Sequence, residues 1–314
     1  MQIEQFEDFD AFAASVRDLD CTMMLQNPAR RSWTIRAAQI AGLTAQMGRL
    51  GSGNIVEGQS WVGGSMIYLP LSDTCEYRAN GAPIRKSSFL TLDPGTEFAL
   101  STRLQHNWCS ISVPTEALGR DANFDAPPKA AGQTGCRVTR PDRHLARRFQ
   151  TAVRDVLAMA AAHPEYESSL GATVASAELL ELAALILGRG QLRELDPAGR
   201  PKIPREEIVR RSKKLLEKRE GEYVSVADLV AASGVSERTL RTAFNETFWV
   251  GPSRYLQLRN LHRIRRALQA AEPEETTVAD VLVQHGEWQF GRCAARYKRL
   301  FGELPSDTLR AMRR

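Results

Sequence analysis

The chain has 314 residues, 43% hydrophobic and 25% charged, a balance that excludes a disordered chain and suggests two domains, with room for three. No run approaches 18 consecutive apolar residues and the opening MQIEQFEDFDAF is acidic, so neither a membrane span nor a secretory leader is expected; scattered Cys21, Cys75, Cys109, Cys136 and Cys293, with no C-x-x-C pair, argue against a disulfide framework or a structural zinc and fit a reducing cytoplasm. The net charge of +5 is segregated: residues 203–314 hold 21 Lys+Arg against 15 Asp+Glu and residues 1–202 hold 21 against 22, as expected when one domain meets a polyanion.

In chain order, Asp10 to Leu19 reads as a short amphipathic helix with Phe12, Val16 and Leu19 on one face. Strand-like pieces follow: Cys21–Gln26, Ser32–Ile40, Leu43–Leu50, Ser65–Leu71, Thr74–Ala79, Ser88–Leu92, Thr96–Ser101 and Trp108–Val113. Gly51-Ser52-Gly53, Gly63-Gly64 and Asp93-Pro94-Gly95 punctuate them as turns, and Asn80-Gly81 is a type I′ hairpin signal. Many short strands to about residue 126 predict a small antiparallel barrel or jelly roll. Arg143–Ala162 and Ser176–Leu187 then read as an apolar helical hairpin. It needs a surface to bury against, either the barrel or a second copy of the chain; Leu179, Leu180, Leu182, Ala183 and Ile186 are the candidate dimer face. Gly188 to Pro204 has no periodicity and reads as a linker, giving a sensor and dimerisation domain over 1–190, a linker over 191–204 and a helical domain over 205–314.

The last third repeats one design. In Ser225 to Phe244, Val226, Leu229 and Val230 face inward, Gly234 sits where a sharp turn favours positive φ, Val235 plugs the angle, Ser236 can cap the next helix, and Leu240 and Phe244 face its core. Arg238, Arg241, Thr242 and Asn245 remain on the outer face, all able to bond bases or phosphates. Some fifty residues on, Thr277-Val278-Ala279-Asp280-Val281-Leu282 and Gly286 repeat the pattern, and a helix carrying Gln289, Arg292, Arg296 and Lys298 follows. Between them Pro252 to Ala270 reads as a strut about 27 Å long, with Arg254, Arg259, Arg263, Arg265 and Arg266 as occasional phosphate contacts.

The runs SVADL from Ser225, GVSERTL from Gly234, AFNETF from Ala243, GPSRYLQLR from Gly251, LHRIRRAL from Leu261, TVADV from Thr277, YKRLFG from Tyr297 and PSDTLR from Pro305 make residues 205–314 resemble the DNA-binding domain of AraC/XylS-type transcriptional regulators. G-x-W-x-x-G-R from Gly286 and P-S-x-T-L from Pro305 resemble the subgroup that contains ethanolamine-utilisation regulators. The resemblance implies an α+β chain: an N-terminal cupin-like antiparallel β-barrel with a helical hairpin, then an all-α double helix-turn-helix domain. It also implies a homodimer whose N-terminal part binds a small-molecule effector, with promoter or operator DNA as a further partner and RNA polymerase as a candidate one. Three positions depart from the pattern: Glu287 stands for an apolar residue beside the turn glycine, Cys293 for a Phe under the second reader helix, and Trp249 for a Gly ending the first. Trp288 and Phe290 are candidates to repack the resulting space.

Enzymatic alternatives are poorly supplied. A metal-dependent barrel enzyme needs clustered His and carboxylate, yet the barrel region contains only His106, so no cofactor is expected. Trp33, Trp61, Tyr68 and Trp108 are candidates for pocket lining or for core, and Cys109 for a redox sensor or a small buried hydrophobe. The reading is a cytoplasmic, sequence-specific DNA-binding regulator, with activation and repression both open. Its alternatives are an enzyme fused to a DNA-binding module and an interaction module with weakened DNA binding.

Overall fold

A computed structural model describes residues 4–72, 76–118, 135–188 and 203–311. Thr74 and Cys75 of one expected strand, and nearly all of the expected linker, lie outside the described residues. The chain divides into two compact units, Met1–Met23 with Ala29–Asp196, and Met24–Pro28 with Pro197–Arg314.

The first unit opens with β1 (Glu4–Phe6) and α1 (Phe9–Ser15). The side chain of Asp8 caps α1 by accepting from the Ala11 N–H. The helix is shorter than expected: Val16 is already extended, and Leu19 begins a strand. Eight strands follow, β2 (Leu19–Ile40), β3 (Leu43–Ser60), β4 (Gly64–Pro70), β5 (Tyr77–Ala79), β6 (Ala82–Ile84), β7 (Leu90–Leu92), β8 (Glu97–Thr102) and β9 (His106–Pro114), then the short α2 (Thr115–Leu118) and β10 (Cys136–Val138). They form one sheet in the order β10-β7-β4-β9-β3-β8-β5-β6, with β2 beside β3 and β1 beside β2. It wraps around a shared interior as a nearly closed antiparallel barrel. Ala41 and Gly42 link β2 to β3, and Asn80 and Gly81 link β5 to β6; all four have positive φ, the geometry that matches the strand twist.

Gly51-Ser52-Gly53 is not a turn. It runs inside β3, where a Cβ on Gly51 would sit 2.3 Å from the Arg30 carbonyl oxygen and one on Gly53 2.4 Å from that of Arg103. The glycines serve close backbone approach, which makes one long strand of two expected pieces. The tenth strand also lies past residue 126, the expected end of the barrel.

Strand alternation sorts β9 cleanly. Cys109, Ile111 and Val113 face outward beneath the helices, while Trp108 and Ser110 face the barrel interior. α3 (Arg143–Ala162) and α4 (Leu170–Leu187) cover that outer face. Phe149, Val153, Leu179, Leu182, Ala183 and Ile186 are all fully buried with Ile40, Leu43, Ile67 and Ile111. The hairpin therefore packs on its own barrel, and of the five residues expected to face a second copy only Leu180 is not in this core. α4 is also the described helix long and apolar enough to cross a membrane by length and composition, although Thr173, Ser176, Glu178 and Glu181 interrupt any continuous apolar run; its Leu179, Leu182, Ala183 and Ile186 are buried on the barrel.

Apart from Met24–Pro28 of β2, the described elements of the second unit are helices: α5 (Arg205–Lys218), α6 (Val226–Ser233), α7 (Glu237–Phe248), α8 (Pro252–Ala270), α9 (Val278–Gln284), α10 (Phe290–Phe301) and α11 (Pro305–Ala311). α8 has Pro252 in its first turn, where a missing N–H costs nothing. Its buried side serves two clusters. Tyr255 stacks on Phe248 (4.9 Å between centroids) and meets Phe244 edge-on, while His262 meets Phe301 edge-on at 5.0 Å and Arg265 lies over the same ring.

A candidate nucleic-acid interface on two capped helix pairs

Each helix-turn-helix begins with the same reciprocal cap. Ser225 Oγ accepts from the Asp228 N–H (3.2 Å) and the Asp228 carboxylate accepts from the Ser225 N–H (2.8 Å). Thr277 and Asp280 repeat this at 3.2 and 3.0 Å. These hydrogen bonds hold both aspartates below the usual carboxylate range, the serine or threonine hydroxyl contributing most. Gly234 (φ 69°) and Gly286 (φ 70°) make the two turns in the left-handed region.

α7 presents the first face. Its N-cap Ser236 accepts from Thr239 N–H, and Leu240, Ala243, Phe244 and Phe248 are buried beneath it. Arg238, Arg241 and Asn245 are exposed at helical spacing. Arg241 Nη2 lies 3.0 Å from Glu237 within the same surface. Thr242 is half-buried, and its hydroxyl donates back to the Arg238 carbonyl at 3.0 Å. Trp249 ends the helix in the left-handed region (φ 63°), a conformation a glycine adopts without strain.

The second face differs. Gln289 is the N-cap of α10 and not on the helix; its side-chain oxygen accepts from Arg292 Nη1 at 2.8 Å. Gln289, Arg292 and Lys298 are exposed. Arg296 is held instead: its Nη2 lies 2.7 Å from Glu287, whose side chain is only 16% exposed. Asn260 on α8 donates to the same carboxylate (3.3 Å) and to the His285 carbonyl (3.2 Å). Glu287 thus fills the interhelical angle as an ion-paired hub. Trp288 (74% exposed) and Phe290 (41%) do not repack beneath it. Cys293 is fully buried there, its thiol pushed up to about 11 by burial and by Glu287.

The strut arginines divide by role. Arg265 is buried, paired with Glu303 at 2.5 Å and 4.7 Å above the Phe301 ring, so it is a core cation. Arg259 donates to the Leu216 carbonyl at 3.1 Å, and Arg254 bonds Gln257. Arg266 is exposed and Arg263 half-buried. Between the two helix pairs lies a groove of about 480 Å³ in which Arg259, Arg263 and Arg296 stand opposite Glu222 and Glu287. The Glu287–Arg296–Asn260 hub escaped sequence reasoning because its members are 9 and 27 positions apart.

In the first unit, Phe12, Met66, Tyr68, Leu100, Trp108 and Ser110 are among the residues around the barrel's interior cavity, about 50 Å³. Tyr68 stacks on Trp108 at 5.7 Å. Trp33 is instead core, donating to Ser52 Oγ at 3.0 Å beside Phe9. His106 also lines the cavity; burial lowers its pKa to about 4 against the pull of the Leu104 and Ser52 backbone hydrogen bonds. Cys109 is fully buried and its thiol is pushed up by burial, as suits a small core hydrophobe.

A family model described as a helix-turn-helix domain matches residues 229–311. The chain is 31% identical over 139 residues to the XylDLEGF operon transcriptional activator 1 of Pseudomonas putida, covering 44% of this chain and 39% of that protein. It is also 31% identical over 105 residues to a probable thc operon regulatory protein of Rhodococcus erythropolis, 33% of this chain and 32% of that one. The chain thus spans about two fifths or less of the length of these relatives. A solved structure of the AraC-like transcriptional activator CuxR is similar at 15% identity, with a TM-score of 0.41 over 90% of this chain and all of that one.

Proposed function

We propose, from the premise that the C-terminal unit is an AraC/XylS-type helix-turn-helix domain, that the chain is a sequence-specific DNA-binding transcriptional regulator. The observation that carries this is the pair of identically capped helix-turn-helix units on one strut, each leaving polar and basic side chains outward while its apolar side is buried. Arg238, Arg241, Thr242 and Asn245 read one major groove. Gln289 and Arg292 read the next, with Lys298 on the backbone, and Arg296 acts mainly by holding α10. The strut of 19 residues, about 28 Å long, sets a spacing near one turn of DNA.

Function is binding and not turnover, in the cytoplasm. A small molecule or partner acting on the barrel unit alters promoter occupancy or contact with RNA polymerase. Activation is the sense named for the Pseudomonas putida relative. The chain works as a homodimer through the outer side of α4, where Leu170, Val174 and Leu185 are exposed in one stripe.

The test is selection of bound sequences from a randomised DNA library by the full chain, followed by titration at several salt concentrations. A preferred site spanning two successive major grooves, with affinity falling steeply as salt rises, is expected. Equal affinity for every sequence at all salt concentrations refutes specific readout.

A further inference from the structure

The first unit carries a second concavity, separate from the barrel interior. It has a volume of about 340 Å³ and lies between the end of β4, the turn before β7 and the first turns of α3. Lys86, Arg143 and Arg147 line it together with Gln150, over an apolar floor that includes Leu69 and Leu71, and none of its lining residues is acidic.

Two basic stretches more than fifty residues apart are brought together here by the backbone. The Asp142 N–H donates to the Ser87 carbonyl at 2.8 Å, and Thr139 and Phe89 exchange hydrogen bonds beside it. The junction requires Ser87 to adopt φ 63°, left-handed backbone that a serine enters only under strain. Arg85, Arg140 and Arg148, all exposed, extend the positive surface around it.

The N-terminus of α3 is capped by the Asp142 carboxylate, which accepts from the Leu145 N–H at 2.9 Å, while the first turn itself holds no acidic residue and begins Arg143-His144. Arg143 and Arg147 are a like-charge pair at i,i+4, which destabilises a helix. Among the described residues neither of them forms an ion pair or a side-chain hydrogen bond. An anion in the groove offsets that repulsion, since the two guanidinium groups then both act with the right sign. Guanidinium forks match phosphate oxygens in pairs, and about 340 Å³ is at the lower end of small-molecule pockets.

We propose that this groove binds a small phosphate-bearing organic molecule, its phosphate on Arg143 and Arg147 and its body against Leu69 and Leu71. The proposal is independent of DNA recognition. It is tested by calorimetric titration of the full chain with phenyl phosphate at fixed ionic strength. Saturable binding at one site per chain is expected. Arg143→Ala combined with Arg147→Ala weakens it by about tenfold or more. Arg147→Lys, which keeps the charge and loses the fork, weakens it less, and Arg263→Ala in the second unit leaves it unchanged. Near-UV circular dichroism checks that the variants stay folded; should the double variant unfold, Arg147→Gln takes its place. No saturable binding to the wild type, or undiminished binding to the Arg143/Arg147 variants, overturns the proposal. Loss of DNA affinity for all sequences alike in these variants, without phenyl phosphate binding to the wild type, also overturns it. The patch would then be a DNA-backbone contact, and the regulator reading would stand.

Discussion

Replacing Glu287 by Phe restores the apolar plug that the related pattern leads one to expect, and the structure gives the outcome a definite sign. The substitution removes the carboxylate that pairs with Arg296 at 2.7 Å and accepts from Asn260 at 3.3 Å. Arg296 is 30% exposed, so its guanidinium recovers part of its hydration by turning outward. Breaking a fully buried pair by removing one partner costs about 3–5 kcal/mol, and a hydrogen bond to a charged group contributes about 1.5–3 kcal/mol. For this partly exposed pair a net loss of about 2 kcal/mol follows, after allowing for the apolar area that Phe buries. In a unit of this size that is a fall of roughly 10 °C in its unfolding transition. Differential scanning calorimetry of the full chain, following the transition of the helical unit, measures it. The double variant Glu287→Leu/Arg296→Met removes both charges and recovers most of the loss, because neither partner is left buried alone. If Glu287→Phe raises the transition temperature, the ion pair does not hold α10.

Other expectations follow from the same structure. Arg241→Ala relaxes base preference in one half of the selected site at a cost of about 1–3 kcal/mol, as sequence selection reads directly; unchanged preference removes Arg241 from the readers. Leu182→Glu buries a charge in a fully buried position and unfolds the barrel unit, whereas Val174→Glu on the outer face of α4 leaves it folded and splits the dimer, outcomes that sedimentation and circular dichroism separate. Gly53→Ala places a Cβ against the Arg103 carbonyl and destabilises by about 2–3 kcal/mol in urea unfolding, while a turn glycine with open space would tolerate it. His106 is neutral in the fold with its pKa lowered to about 4, so the unfolded chain binds its proton first as pH falls. The stability from this group is complete above about pH 6.5 and declines between pH 6.5 and 4, and His106→Gln flattens that part of the profile.

What could be read from sequence depended on distance along the chain. The two capping pairs, the Asn80-Gly81 hairpin, the Gly234 turn and the end of α3 at Ala162 are each specified within about four residues, so local rules reach them. The glycines of β3 have the local look of a turn because the carbonyls of Arg30 and Arg103 that demand them lie far off in sequence. In the sequence the cover of α4 stays open between barrel and second copy for a related reason. An apolar stripe announces that something covers it but not what, and here it is Ile40, Leu43 and Ile111 of the barrel. On the two outer helix faces, exposure of Arg238 and Arg241 follows from helical spacing, whereas Arg296 has the same spacing and is diverted by a glutamate outside its own helix.

The single helix that supports both reader pairs has a thermodynamic consequence. Tyr255 near one end of α8 packs on Phe244 and Phe248 of α7, and His262 and Arg265 farther along pack on Phe301 of α10, yet all ride on one uninterrupted ladder of amide hydrogen bonds. Neither pair can open fully without fraying the helix that closes the other, so the halves melt as one cooperative unit and the slowest-exchanging amides of the unit fall within residues 255–268. A lesion under one helix pair is therefore felt by its counterpart along the same helix, and the two outer faces stand or fall together.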